Sequence, residues 1–123
     1  MIHTMRDGRS SRQPAIDVRS PQPHAVLVVL RGEHDLSSAE ALRQTFEQSL
    51  GRCDHLIVDL SAVEFIDSTT IRVLMETRGH AIERDRKLSV VLGTAAIVER
   101  VLEISGILGL MNVVPSVERA LAG

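Results

Sequence analysis

The chain has 123 residues, 44% of them hydrophobic and 24% charged, which suits one soluble domain with a sizeable core and excludes wholesale disorder. Phe46 and Phe65 are its only aromatic residues and the formal net charge is −2, so it offers neither a stacking platform nor an electrostatic footprint for nucleic acid. A single cysteine, Cys53, excludes an internal disulfide framework and a cysteine-rich zinc site.

Residues 1–13 are polar, with Arg6, Arg9 and Arg12 among Gly, Ser and Gln. They read as a flexible tail ahead of one domain spanning 14–123. The longest apolar run, Ala25 to Leu30, is far short of the ~20 residues of a transmembrane helix. No secretory signal precedes it. The expected location is the cytoplasm, without membrane insertion.

Ala15–Val18 has the pattern of a short first strand, ended by a turn at Ser20-Pro21-Gln22-Pro23. Ala25–Arg31 is β-branched and nearly continuous, as a strand covered on both faces should be. Ser37-Ser38-Ala39-Glu40 has the spacing of a capping box, and Leu42, Phe46 and Leu50 then keep one helical face apolar up to Gly51. His55–Leu60 predicts a strand. After Asp67 the helical period returns through Ile71, Leu74, Met75 and Ile82, with Arg72, Glu76, Glu83 and Arg84 off the stripe.

Leu88–Leu92 predicts a strand closed by Gly93-Thr94. Thr94 is then placed to cap a helix that turns Ile97, Val98, Val101 and Leu102 inward and stops at Ser105-Gly106. A short strand near Met111–Val114 and a last helix over Val117–Leu121 complete the chain. Strands alternating with helices predict an α/β fold: a mixed, mostly parallel sheet of four to five strands with about four helices packed on it.

The segment Ile66-Asp67-Ser68-Thr69-Thr70-Ile71 passes directly from strand-like sequence into an amphipathic helix. Two readings of Ser68 stand side by side. It caps the helix with its hydroxyl, or it is an exposed serine at a positive helix end, suited to carry a phosphate. No acidic residue occupies the first turn after it. Gly32-Glu33-His34-Asp35 follows the main central strand, and loops at the same ends of parallel strands cluster in space. Asp35 either opens the turn before a Ser37 cap or, with Asp67, approaches Ser68 from two sides.

The other candidates are weaker. The five histidines show no metal-ligand spacing, and Glu33-His34-Asp35 makes a poor ligand cluster. Cys53, in a polar stretch, reads as an incidental thiol. There is no Gly-rich phosphate loop with a lysine. Asp59 at a strand end lacks the acidic pair and late lysine of a phosphoacceptor receiver. No catalytic group, cofactor or metal site is expected, and the chain does not read as an enzyme.

Taken together, these residues resemble the STAS domain family, in particular its anti-sigma-factor antagonists. The family's Gly-Glu-Leu-Asp turn stands here as Gly32-Glu33-His34-Asp35. Its Asp-Ser-Ser/Thr-Gly helix start stands as Asp67-Ser68-Thr69-Thr70, and its late hydrophobic-Ser/Thr-Gly-Leu turn as Ile104-Ser105-Gly106-Ile107-Leu108. The resemblance runs from about residue 14 to the C-terminus. It implies the STAS fold and a phospho-switch protein in a partner-switching pathway of transcription regulation and stress response. In that family the unphosphorylated antagonist binds an anti-sigma factor that is also a serine kinase, freeing the sigma factor; phosphorylation abolishes binding and a phosphatase restores it.

Carried over, the acceptor is Ser68, with Thr69 as the lesser alternative. The partner-binding set is Glu33, His34, Asp35, Asp67, Ser68, Thr69, Thr70 and Arg72, in a monomer or weak dimer. Two residues depart from the pattern: Thr70 replaces glycine, placing a side chain where a partner needs close approach, and His34 replaces an apolar residue. A non-switching STAS scaffold or accessory subunit, of a stress-signalling assembly or a lipid-transport complex, is the rival reading. A small-ligand or nucleotide sensor is a third.

Overall fold

The computed structural model describes residues 13–93 and 96–122. The tail up to Arg12, the cap expected at Thr94 and the inward orientation expected of Ile97 lie outside what it describes. Five strands form one sheet in chain order: β1 (Ala15–Gln22), β2 (Ala25–His34), β3 (His55–Ile66), β4 (Lys87–Val91) and β5 (Asn112–Val114). β1 runs antiparallel to β2, and every later pairing is parallel. The described helices are α1 (Leu36–Leu50), α2 (Ser68–Glu83), α3 (Ala96–Ile104) and α4 (Val117–Ala122). This is the expected mixed α/β architecture.

The double apolar character of β2 is matched by a layer on each face. Val26, Val28 and Leu30, with Leu56, Val58, Leu60 and Val90, pack under α1 (Leu42, Phe46, Leu50), α2 (Val73, Leu74, Ala81) and α3 (Val98, Leu102). The alternate residues Leu27, Val29, Ile57 and Val91 face the other way, where Ala120, Val117 and Leu121 of α4 cover them. Phe46 is the one aromatic in this otherwise aliphatic core; Phe65 is not part of it.

Three boundaries differ from expectation. β2 runs past Arg31 through Gly32-Glu33-His34, so these residues belong to the strand and not to a turn after it. β1 continues through Ser20-Pro21-Gln22, and the turn falls at Pro23-His24. Pro21 is tolerated because β1 is an edge strand, where a missing N–H need not break a ladder, and the register shifts between Arg19 and Gln22. β3 extends six residues past Leu60, to Ile66. Its last part pairs with the end of β2, Glu33 opposite Phe65 and His34 opposite Ile66. Both strands therefore end level, and each feeds a helix at once. Gly32 makes this pairing possible: its φ of 79° lies in the left-handed region, at a register shift between Gly32 and Glu33. That is a conformation side chains oppose and glycine adopts freely.

Candidate functional site

The paired ends of β2 and β3 place two helix starts side by side. Asp35 caps α1: its Oδ1 accepts from the Ser37 N–H at 2.9 Å and from the Ser37 hydroxyl at 2.6 Å. The Ser37–Glu40 capping box does not form. Asp35 stands in the extended conformation one step before the helix, so its shorter reach to Ser37 takes the cap. Glu40 instead meets Arg43, which also reaches Glu76 of α2 and ties the two helices together.

Asp67 repeats this arrangement on α2. It is extended, and its Oδ1 accepts from the Thr70 N–H at 3.0 Å. The reading in which Ser68 caps the helix is thereby corrected: Asp67 holds the capping bond, and Ser68 is the first helical residue, exposed to solvent. Neither helix has an acidic residue in its first turn, so within each helix start the positive end is met by the capping carboxylate alone. The Ser37 hydrogen bonds hold the Asp35 carboxyl below the usual carboxylate range.

One carbonyl joins the two starts. His34 O accepts from the Asp67 N–H at 3.2 Å and from the Thr70 hydroxyl at 3.0 Å. Thr70 is fully buried, so its side chain faces this seam and not a docking surface. The Thr70 side chain points inward at the first turn and adds nothing to the exposed surface beside Ser68. It also has no accessible hydroxyl to compete as a phosphate acceptor.

His34 is likewise fully buried. Its Nε2–H donates to Arg31 O at 3.0 Å, and its Nδ1 lies 3.0 Å from the Ser38 hydroxyl. This leaves Nδ1 as the acceptor in the neutral ring. Burial pushes its pKa down, against the opposing effects of the Arg31 and Ala15 backbone and the Asp35 carboxylate.

Of the eight partner-binding candidates, then, His34 and Thr70 have no side-chain surface for a partner; they position the loops from within. Asp35, Ser68 and Arg72 are exposed, and Glu33, Asp67 and Thr69 are half-buried. Arg72 lies one turn beyond Ser68 on α2, at the i,i+4 spacing that brings side chains together. Two apolar residues were missed at the sequence level. Leu36 is 74% exposed and Phe65 is 40% exposed, each adjoining or nearly adjoining a capping aspartate. Leu36 lies six residues before Leu42 and about a third of a turn from it around α1, and it protrudes as the first residue of the helix.

Elsewhere, Cys53 is buried and burial pushes its thiol pKa up, the opposite of an activated nucleophile. Among the described residues no group of three or more His, Cys, Asp or Glu side chains gathers as metal ligands. No described helix is long and apolar enough to cross a membrane.

The family model described as "Mlab, STAS domain" matches residues 18–115. The chain belongs to the STAS domain family. No curated protein is significantly similar to it. Among solved structures, this STAS domain superimposes on an anti-sigma factor antagonist from Mycobacterium paratuberculosis with a TM-score of 0.80 at 24% identity, covering 90% of this chain and 93% of that one. The Bacillus cell fate determinant SpoIIAA, in its phosphorylated form, gives 0.69 at 17% identity over 88% and 97%. A sulfate transporter family protein from Wolinella succinogenes gives 0.72 at 17% over 85% and 87%. At these identities the likeness is one of fold, shared by antagonist and transporter STAS domains alike.

Proposed function

We propose that this STAS domain is an anti-sigma-factor antagonist switched by phosphorylation of Ser68. Unphosphorylated, it binds an anti-sigma factor that is also a serine kinase and so releases the sigma factor; phosphorylation ends that binding and a phosphatase restores it. It acts in the cytoplasm as a monomer or weak dimer, without catalysis of its own. The observation that carries this reading is that Asp67, not Ser68, caps α2. The Ser68 hydroxyl is left exposed at a positive helix end, free of the bond that would otherwise occupy it. A phosphate of −1.5 to −2 charge fits the helix dipole there. For a docking partner it adds charge beside Asp35 and Asp67 and a desolvation penalty on a surface that also exposes Leu36 and Phe65. A tenfold loss of affinity needs only about 1.4 kcal/mol.

The test is incubation with ATP and candidate serine kinases of the anti-sigma type, followed by phosphosite mapping and binding measurements. Modification of Ser68, with Ser68→Ala binding and Ser68→Asp losing the partner, is expected. If no kinase modifies Ser68 and both variants bind every partner alike, the switch reading fails.

The second reading, a non-switching accessory subunit, is favoured by the description of the matching family model and by the transporter-type structural neighbour. It expects a stoichiometric complex in gel filtration that is indifferent to Ser68→Asp.

A further inference from the structure

The molecule has a second polar locus, the full length of β3 away from Ser68. At the start of the sheet, the face covered by α4 changes from apolar to polar within one row. Val91 and Val114 pair in register beneath α4, but the preceding pair is Ser89 and Asn112. Before that, Lys87 lies opposite His55. Ser89 is wholly buried and joins the row together: its hydroxyl lies 2.7 Å from His55 Nε2 and accepts from Asn112 Nδ2 at 3.0 Å. Burial first, and Lys87 second, push the His55 pKa down. With the ring neutral, Ser89 donates to Nε2 while accepting from Asn112, so the buried hydroxyl is satisfied in both roles and tethers the Asn112 amide.

Between this row and α4 opens a cleft of about 520 Å³, within the range of about 300–1,000 Å³ usual for small-molecule sites. Asn112, Val114 and Pro115 line it, and two cations border it, Lys87 from β4 and Arg119 from α4. No carboxylate lines it among the described residues.

We propose that this cleft is a binding site for a small phosphate monoester. Its two cations match a dianion. Arg119 supplies a fork suited to phosphate oxygens and Lys87 a point charge. Val114 and Pro115 take the apolar side of the organic part, and no aromatic stands there to demand a base. The site is independent of Ser68 and of any kinase cycle.

The experiment is amide-resolved NMR titration of the full chain with ribose 5-phosphate, ribose and inorganic phosphate. Ribose 5-phosphate shifts the amides of Asn112, Val114 and Arg119 saturably, ribose does not, and inorganic phosphate binds about tenfold more weakly or worse. Lys87→Gln and Arg119→Gln, both at exposed positions, weaken binding by about tenfold or more with the remaining spectrum unchanged; Ser68→Ala binds as the unaltered protein does. Ribose binding as well as its phosphate, inorganic phosphate binding as tightly as the ester, unaltered affinity in both cation variants, or shifts confined to the Ser68 end would each overturn the proposal, as would the absence of saturation.

Discussion

Thr70 stands where the resemblance expects glycine, and its buried setting makes a quantitative test. Thr70→Gly removes three things. The first is the hydroxyl bond to His34 O, with a net worth of about 0.5–1.5 kcal/mol. The second is the β-carbon and methyl buried in the seam, since the residue is fully buried; burial of two such carbons contributes roughly 1.6 kcal/mol. The third is helix propensity, lower for glycine than for threonine by about 0.3 kcal/mol. The sum is about 2–3 kcal/mol of destabilisation. Thr70→Val keeps the volume and loses only the hydroxyl. His34 O still holds the Asp67 N–H and is not orphaned, so its cost falls near ~1 kcal/mol. Urea unfolding followed by far-UV circular dichroism reads both. With a slope of about 1–3 kcal/mol per molar, Thr70→Gly shifts the midpoint down by about 1 M or more, and Thr70→Val by less than half as much. A Thr70→Gly variant as stable as the parent, or a Thr70→Val variant as unstable as Thr70→Gly, refutes the seam.

Asp67→Ala removes the α2 cap and is expected to cost about 1 kcal/mol in the same assay, whereas Asp67→Asn, which keeps an acceptor oxygen, costs less than half of that. The lowered His34 pKa makes stability depend on pH. The unfolded chain takes up the proton first as pH falls below the ordinary value of 6.5, so the contribution is complete above that pH and is lost on acidification, by at most about 1.4 kcal/mol per pH unit. His55 is lowered too and acts in the same window. The measured quantity is therefore the difference between parent and His34→Gln: between pH 7 and 5 the variant is expected to lose less stability, and equal losses would contradict the burial argument. Ser68→Asp, at an exposed helix start, is expected to change stability by no more than ~0.5 kcal/mol, so its effect on partner binding is read without unfolding.

Much of this was legible in the chain. The switch between periods two and 3.6 located every described strand and helix; the central strands and longer helices bury faces whose spacing shows directly, whereas β1 and β5 bury no residue fully. The glycine of Gly32-Glu33-His34-Asp35 has its reason in a backbone angle, and the two aspartates have theirs in two caps. What was not legible was which way the site's side chains turn. Ser37 and Ser68 are as good capping residues as Asp35 and Asp67 by composition. The choice fell on the aspartates because the level ends of β2 and β3 leave each one extended immediately before its helix. His34 and Thr70 looked like surface residues because their motifs are surface motifs, yet both lie in the seam between the two starts. That seam exists only through the pairing of His34 with Ile66, which is a long-range fact. The polar row of His55, Ser89 and Asn112 was hidden for the same reason, being spread over three strands.

On the proposed reading, the division of labour at the two helix starts decides what kind of switch this is. The bonds that hold the starts together involve the Asp35 and Asp67 carboxylates, the His34 carbonyl and the Thr70 hydroxyl. The Ser68 side chain is in none of these. A phosphate there meets the positive end of α2 and has Arg72 one turn on, which favours it, while Asp35 and Asp67 oppose it. These effects of opposite sign leave the frame nearly as stable as before. The charge added to the exposed surface has no such compensation when a partner must desolvate it. The switch therefore works by changing what the surface offers, with no need for α2 to move, and amide exchange of the α2 backbone in the phosphorylated protein should match that of the unmodified one.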